Sequence, residues 1–414
     1  MSTSRSSQAP PVLDVEAVRK DFPIFETGVA YLDSANTAQR PRQVVQAVEE
    51  YFTTYNANIL RAAYALSETA TARFEAAREK VRAFLNATSS REVVFTRGTT
   101  EGINLVAYAW GRQYVQPGDL LVCTVMEHHS NLVPWQILAA ERGARLEFVD
   151  IDDQGRLRQD QFQRLLEQGP RLVAFTQVSN TLGTITPYRE MTAAAKAAGA
   201  TVLIDGAQGA PHLGFDVQEV GCDFYAFSGH KLCGPTGIGV LWGRRELLES
   251  MPPFLSGGEM IKAVFLDHTD YADLPHKFEA GTQAIAEAIG LGAAIDYLNG
   301  IGFEAIRAHE AEITGYAYEA LSEIEGLRIF GPPPGPDRLG VLSFDLEGVH
   351  PHDVATILDR HGVCVRSGHN CTMPLLQRLD VPATTRASSY LYTTRDEIDR
   401  LVAALHEVKR IFAR

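Results

Sequence analysis

Lysine is scarce in this chain. Seven lysines stand against 31 arginines, so chemistry that needs a primary amine has few carriers. Long apolar runs are missing as well. None approaches the roughly 20 residues of a membrane span, and no membrane association is expected. There is no basic run, and the formal net charge is −13. Such a surface repels phosphate backbones, which speaks against nucleic-acid binding. The absence of a Gly-Lys dipeptide excludes a Walker-type nucleotide loop, and Gly234-Pro-Thr-Gly-Ile-Gly239 has the wrong spacing for a dinucleotide fingerprint. The five cysteines are odd in number and include no Cys-x-x-Cys. That argues against a disulfide framework and a zinc ribbon, and no metal site is expected. Residues 1–12 are polar and Ser-rich, without the apolar centre of a signal peptide. They read as a disordered leader, and a cytoplasmic location is expected.

What remains is an ordinary globular composition, 45% hydrophobic and 21% charged over 414 residues, enough for two or three domains. Strands are predicted at 92–96, 119–126, 171–178, 201–204, 223–227 and 238–242. Helices are predicted at 103–114, 131–142 and 186–198. Several of the strands are near-continuous apolar runs, the pattern of parallel strands covered on both faces. Strand–helix alternation makes this part an α/β unit. Past Gly281 two long helical patterns run to about residue 325. A Pro/Gly loop follows, then a strand at 340–346, a helix at 351–361, a strand at 363–366 and a closing helix at 395–412. The expected division is a large α/β domain over 13–285, with 13–30 packing against the small domain, and a small α+β domain over 286–414.

In such sheets ligands sit beyond the carboxyl ends of the strands, so the residues after each strand matter most. Asp205 ends one apolar run; it suits a protonated ring nitrogen, though a turn aspartate before Gly206 reads the same way. Lys231 follows another strand among Ser228, Gly229 and His230, where small neighbours permit close approach and desolvation favours the neutral, nucleophilic amine. Gly98-Thr99-Thr100 opens a helix and fits a phosphate cradle or a plain N-cap. His128 and His129 are adjacent, so in extended chain their side chains diverge, and one of them can face a ring in the site. Cys371 lies on a polar loop, Arg366-Ser-Gly-His-Asn-Cys371, that leaves the thiol accessible. Arg386 is a natural bidentate partner for a carboxylate.

Together these segments resemble a known family. Cys222-Asp-Phe-Tyr-Ala-Phe-Ser-Gly-His-Lys231, with the Gly-Pro-Thr-Gly-Ile-Gly239 that follows, is similar to the lysine signature of class V aminotransferases. Arg97-Gly-Thr-Thr-Glu-Gly102, Met126-Glu-His-His129, Val178-Ser-Asn180, Asp205-Gly-Ala-Gln208, Phe278-Glu-Ala-Gly-Thr282 and the Gly-His-x-Cys371 loop narrow the resemblance to group II (Suf-type) cysteine desulfurases, from about Asp14 to the C-terminus. The resemblance implies a type I pyridoxal-phosphate transferase fold, with a mostly parallel seven-stranded sheet in the large domain and a smaller α+β C-terminal domain. It implies pyridoxal 5'-phosphate as cofactor and a homodimer.

By the same resemblance Lys231 holds the cofactor, Asp205 pairs with its ring nitrogen, Gln208 contacts its phenolic oxygen and His128 stacks on the ring. Thr99, Thr100, Ser228 and His230 hold the phosphate, and Thr282 reaches the phosphate of the neighbouring subunit. Asn180, Arg366 and Arg386 bind the substrate carboxylate, and Cys371 takes sulfur from L-cysteine for a SufE- or SufU-type acceptor and iron–sulfur assembly. The rival reading is a selenocysteine lyase, acting on L-selenocysteine, or another pyridoxal-phosphate C–S lyase. The chain departs from the family pattern at Leu60-Arg61-Ala62-Ala63-Tyr64, Asn370, Gln283 and Ser389, which leaves the acceptor and the physiological substrate open.

Overall fold

The computed structural model describes residues 12–61 and 63–412. The expected leader, apart from Val12, lies outside them, as does Ala62.

The large unit is organised by a seven-stranded sheet. Its strands are β1 (Val93–Thr96), β2 (Leu120–Thr124), β3 (Arg145–Val149), β4 (Leu172–Thr176), β5 (Thr201–Asp205), β6 (Phe224–Ser228) and β7 (Gly239–Gly243), in the spatial order 1-7-6-5-4-2-3. All neighbours are parallel except β7, which runs antiparallel to both β1 and β6. The central strands are buried along nearly their whole length, because helices cover both faces of the sheet. β3 has no counterpart in the sequence reading. It is an edge strand whose Arg145 and Glu147 are exposed, so its polar alternation hides it among loops.

β1, β5 and β6 deliver Thr96, Asp205 and Ser228 to one edge of the sheet. There the chain needs a glycine at the start of β7: a side chain on Gly239 would run into the backbone of Gly98 and Phe227. This close approach brings the turn after β1 against the end of β6.

The small unit is a four-stranded antiparallel sheet of β8 (Leu327–Ile329), β9 (Val341–Leu346), β10 (Arg366–Gly368) and β11 (Thr384–Ser388), in the order 8-9-11-10. Helices Phe303–Ser322, Pro351–Arg360 and Arg395–Phe412 pack with it. The last of these buries Ile398, Leu401, Leu405 and Val408, one stripe at helical spacing. The strand expected at 363–366 is divided. Val363–Cys364 pairs in parallel with Ala30–Tyr31, and only Arg366–Gly368 joins the sheet. Ala30 and Leu32 lie in the small-unit core, whereas Val18 and Phe22 belong to the core of the large unit.

The expected boundary at 286 needs correcting. Helix Ile285–Ile301 packs on helices Arg42–Thr54 and Ala65–Phe84 of the large unit. A side chain on Gly290 would strike Pro235 and Val48, and one on Gly292 would meet Ala77. The small unit therefore begins near Phe303.

Candidate active site

One open cavity of about 740 Å³ lies at the carboxyl edge of the large sheet, under the small unit. Every candidate site residue but Thr282 lines it. Thr282 is exposed on a separate surface cleft beside Arg97, Glu101 and Gln283.

The floor comes from the large sheet. Asp205 ends β5, is buried, and accepts a hydrogen bond from Ala207 N at 2.9 Å. Burial raises its pKa. Lys231 sits in the helical turn that follows β6. Enclosure of its amine pushes the pKa down to about 8, with Arg386 and Arg366 acting in the same sense and Asp205 opposing them. An amine tuned this way is still mostly protonated at pH 7, but roughly a tenth of it is neutral, far more than for a solvated lysine, and the neutral form is what attack on a carbonyl requires.

His128 follows β2. Its Nδ1 accepts the Ser130 backbone N–H at 3.1 Å, which assigns the proton of a neutral ring to Nε2. Burial, and then the charge of Lys231, push its pKa down to about 3, so the imidazole stays neutral. The chain is not extended at His129, which opens a helical turn, and the two rings lie 6.3 Å apart; they take different partners, with His128 lining the cavity and His129 facing the Cys371 loop.

The residues expected to hold a phosphate come from three segments. Thr99 starts a helix with no side-chain cap at Gly98. Ser228 Oγ accepts from Thr99 N at 2.9 Å and lies 2.8 Å from Thr99 Oγ1. Thr100 Oγ1 is 2.7 Å from Ser130 Oγ, and His230 Nδ1 is 3.2 Å from Thr37 Oγ1. Burial, Lys231 and Arg40 hold the pKa of His230 down at about 4, leaving it neutral. Hydroxyls gathered at a helix start favour an anion, although Thr99 N itself already donates to Ser228 Oγ.

The roof comes from the small unit. Arg386, on β11, is 2% exposed. Its Nη1 donates to Asn180 O at 2.8 Å and its Nη2 to Asp33 Oδ1 at 3.2 Å, while Nε is buried without a partner among the described residues. Burial lowers its pKa to about 10, which still leaves a cation at neutral pH. Arg366, on β10, donates to Asn36 Oδ1.

Cys371 follows β10 in a turn where Asn370 and Cys371 have φ of 50° and 57°. Asparagine tolerates this left-handed region better than most residues, which suits the departure at 370. The loop is tied to the large unit: His129 N donates to Cys371 O and Asn180 Nδ2 to Asn370 O, each at 2.8 Å. Thr181 and Thr372 hydroxyls meet at 2.9 Å, and Met373 N donates to His129 Nε2 at 3.1 Å. The thiol is partly exposed and lines the cavity, so it needs no excursion to face a ligand there.

The other departures lie apart. Leu60 and Tyr64 are exposed and line no part of the cavity. Gln283 Nε2 donates to Glu279 O at 2.9 Å. Ser389 packs against Gly340, where a larger side chain at 340 would collide with it. Cavity residues missed by sequence reasoning are Ala35, Asn36, Ser130 and Thr176, while Asn370 was noted there only as a departure. Ser130 alone carried a signal, its place directly after His128 and His129.

The donor set fits pyridoxal 5'-phosphate: a buried amine of lowered pKa, a buried carboxylate, a neutral imidazole and a cluster of hydroxyls at a helix start in one cavity. The class-V aminotransferase pattern matches residues 30–401, and the chain belongs to that family. Within it the chain belongs with the cysteine desulfurases. It is 50% identical to a probable cysteine desulfurase of Streptomyces coelicolor, over 98% of this chain and 100% of that one. The cysteine desulfurase CsdA of Escherichia coli matches with a TM-score of 0.91 and 40% identity, covering 97% of this chain and 100% of its own. A cysteine desulfurase of Thermococcus onnurineus matches with a TM-score of 0.92 and 40% identity, over 98% and 99%.

Proposed function

We propose that the protein is a pyridoxal-phosphate-dependent cysteine desulfurase that converts L-cysteine to L-alanine and keeps the sulfur as a persulfide on Cys371. One observation carries this reading: Lys231, Asp205, His128, Arg386 and Cys371, which are far apart in sequence, line a single cavity. When bound, the cofactor supplies an electron sink that labilises the substrate's Cα proton and its Cβ–S bond.

The chain's own residues do the rest. Lys231 anchors the cofactor and, once displaced, moves protons as a neutral amine. Asp205 faces the ring nitrogen, Gln208 the phenolic oxygen, and His128 covers the ring. Thr99, Thr100, Ser228 and His230 take the phosphate. Asn180, Arg366 and Arg386 orient the substrate carboxylate. The Cys371 sulfur attacks the substrate sulfur; the S–S bond forms as the Cβ–S bond breaks, and the carbon takes the electron pair and a proton.

Thr282 serves the site of a second copy in a homodimer. Its exposure and the apolar surface of Leu255, Phe265, Leu266 and Tyr271 support that assembly. The persulfide then passes to a small SufE- or SufU-type acceptor protein, and we place the reaction in iron–sulfur cluster assembly. A reducing cytoplasm suits five cysteines that are all free. Among the described residues no helix is long and apolar enough to cross a membrane.

The test is incubation of the cofactor-loaded protein with L-cysteine, with and without reductant and each acceptor class. Alanine formation that rises with reductant or acceptor is expected. No alanine under any condition would overturn the reading. Release of sulfide from Cys371→Ser at the parental rate would favour a direct C–S lyase instead.

A further inference from the structure

We propose that Asp33 and Asn36 are positioning residues that bracket the two arginines of the site. The inference rests on the reading above that Arg366 and Arg386 receive the substrate carboxylate. The geometry forms one chain of contacts. Arg386 Nη2 donates to Asp33 Oδ1 at 3.2 Å, and Asn36 Nδ2 donates to Asp33 Oδ2 at 3.1 Å. Arg366 Nη1 donates to Asn36 Oδ1. The two guanidinium groups are thus joined through one carboxylate and one amide, and both of those come from a single four-residue turn. That turn is rigid: Asn36 N and Thr37 N both donate to Asp33 O, at 3.1 and 3.3 Å.

The turn also spans the two units. Asp33 bridges Ser388 at the end of β11, while Ala38 N donates to His230 O beside Lys231, at 3.0 Å. The bracket therefore fixes the arginines relative to the floor of the cavity as well as to each other. Electrostatics gives it a second role. Arg366, Arg386 and Lys231 lie close enough for each arginine to lower the pKa of Lys231, and unpaired guanidinium groups at such range repel. Among the described residues the Asp33 carboxylate is the one ion-pair partner of Arg386. With Nη1 held by Asn180 and Nη2 by Asp33, the guanidinium is fixed in orientation, and the second N–H of each of these nitrogens remains for a ligand in the cavity that Arg386 lines. The bracket is thus a device for selecting an amino acid, with its carboxylate, over a simple aminothiol.

The test uses the cofactor-loaded enzyme and compares Asp33→Ala, Asp33→Asn, Asn36→Ala and Arg386→Ala. The readouts are KM and kcat for L-cysteine, a spectral titration with L-alanine as a non-reacting ligand, cofactor absorbance and Tm. Asp33→Ala is expected to raise KM and the L-alanine Kd about tenfold to a hundredfold. Its kcat should stay within about threefold, the pattern of lost ground-state orientation. Asp33→Asn, whose amide oxygen still accepts from Arg386, recovers part of the loss, and it carries the test together with Asn36→Ala if Asp33→Ala does not fold. Cysteamine, which has no carboxylate, binds all variants equally. Unchanged KM and Kd in the Asp33 and Asn36 variants, with Arg386→Ala weakened, would overturn the bracket alone. An Arg386→Ala enzyme that still binds L-alanine normally would overturn the carboxylate reading beneath it.

Discussion

The lysine side and the cysteine side of the cavity are built by different means. Lys231 stands on a buried sheet, one turn beyond β6, with Asp205 at the end of the neighbouring β5. Its position follows from main-chain ladders and apolar packing. Cys371 stands on a loop after a three-residue strand, in a left-handed turn. Its position depends on hydrogen bonds from His129, Asn180 and Thr181, all on the other unit. The cofactor side is therefore fixed before any ligand arrives, whereas the nucleophile side is fixed only when the two units are docked.

Separate damage to each side should show this. Lys231→Ala removes the amine that anchors the cofactor. Turnover should fall by about a thousandfold or more, and the protein should lose its covalently held chromophore. Cys371→Ser should lose cysteine turnover to a similar degree but keep the chromophore and its spectral response to L-alanine. A Cys371→Ser protein that cannot hold the cofactor would break the comparison. His129→Ala removes the ring acceptor of Met373 N. Persulfide formation should slow about tenfold with cofactor absorbance unchanged; an altered absorbance would mean that the two sides are not separable.

The mildest probe is pH. The neutral amine is the attacking form of Lys231, and its fraction grows as pH rises through the pKa. Because that pKa is lowered from 10.5 to about 8, reconstitution of the cofactor-free protein should accelerate with a midpoint near pH 8. A midpoint near 10 would mean that the amine is solvated.

The same contrast explains what the sequence made legible. Asp205 and Lys231 follow apolar strands, so their place at the ligand edge could be inferred from local pattern. The order of Thr99, His128, Asp205 and Lys231 along the chain already matched a family. The roof was less legible. Arg386 could be matched to a carboxylate by its chemistry, but what holds it in place was hidden, because its partner Asp33 lies 353 residues away. Asn36 carried no local signal, since its work is done through Arg366. The boundary at 286 was misplaced for a related reason. Helix Ile285–Ile301 is buried on many sides, and nothing in its own residues says which neighbours bury it. The edge strand β3 was hidden by its exposed charges.

The central claim is that sulfur leaves the substrate by transfer to one side chain of the nucleophile loop. It is tested most directly by a single turnover of the cofactor-loaded enzyme with a limiting amount of L-cysteine, quenched with an alkylating agent and mapped by mass spectrometry. The account predicts one extra sulfur atom on the peptide that contains Cys371, in amounts equal to the alanine formed. Alanine accompanied by free sulfide, with the Cys371 peptide unmodified, would contradict it.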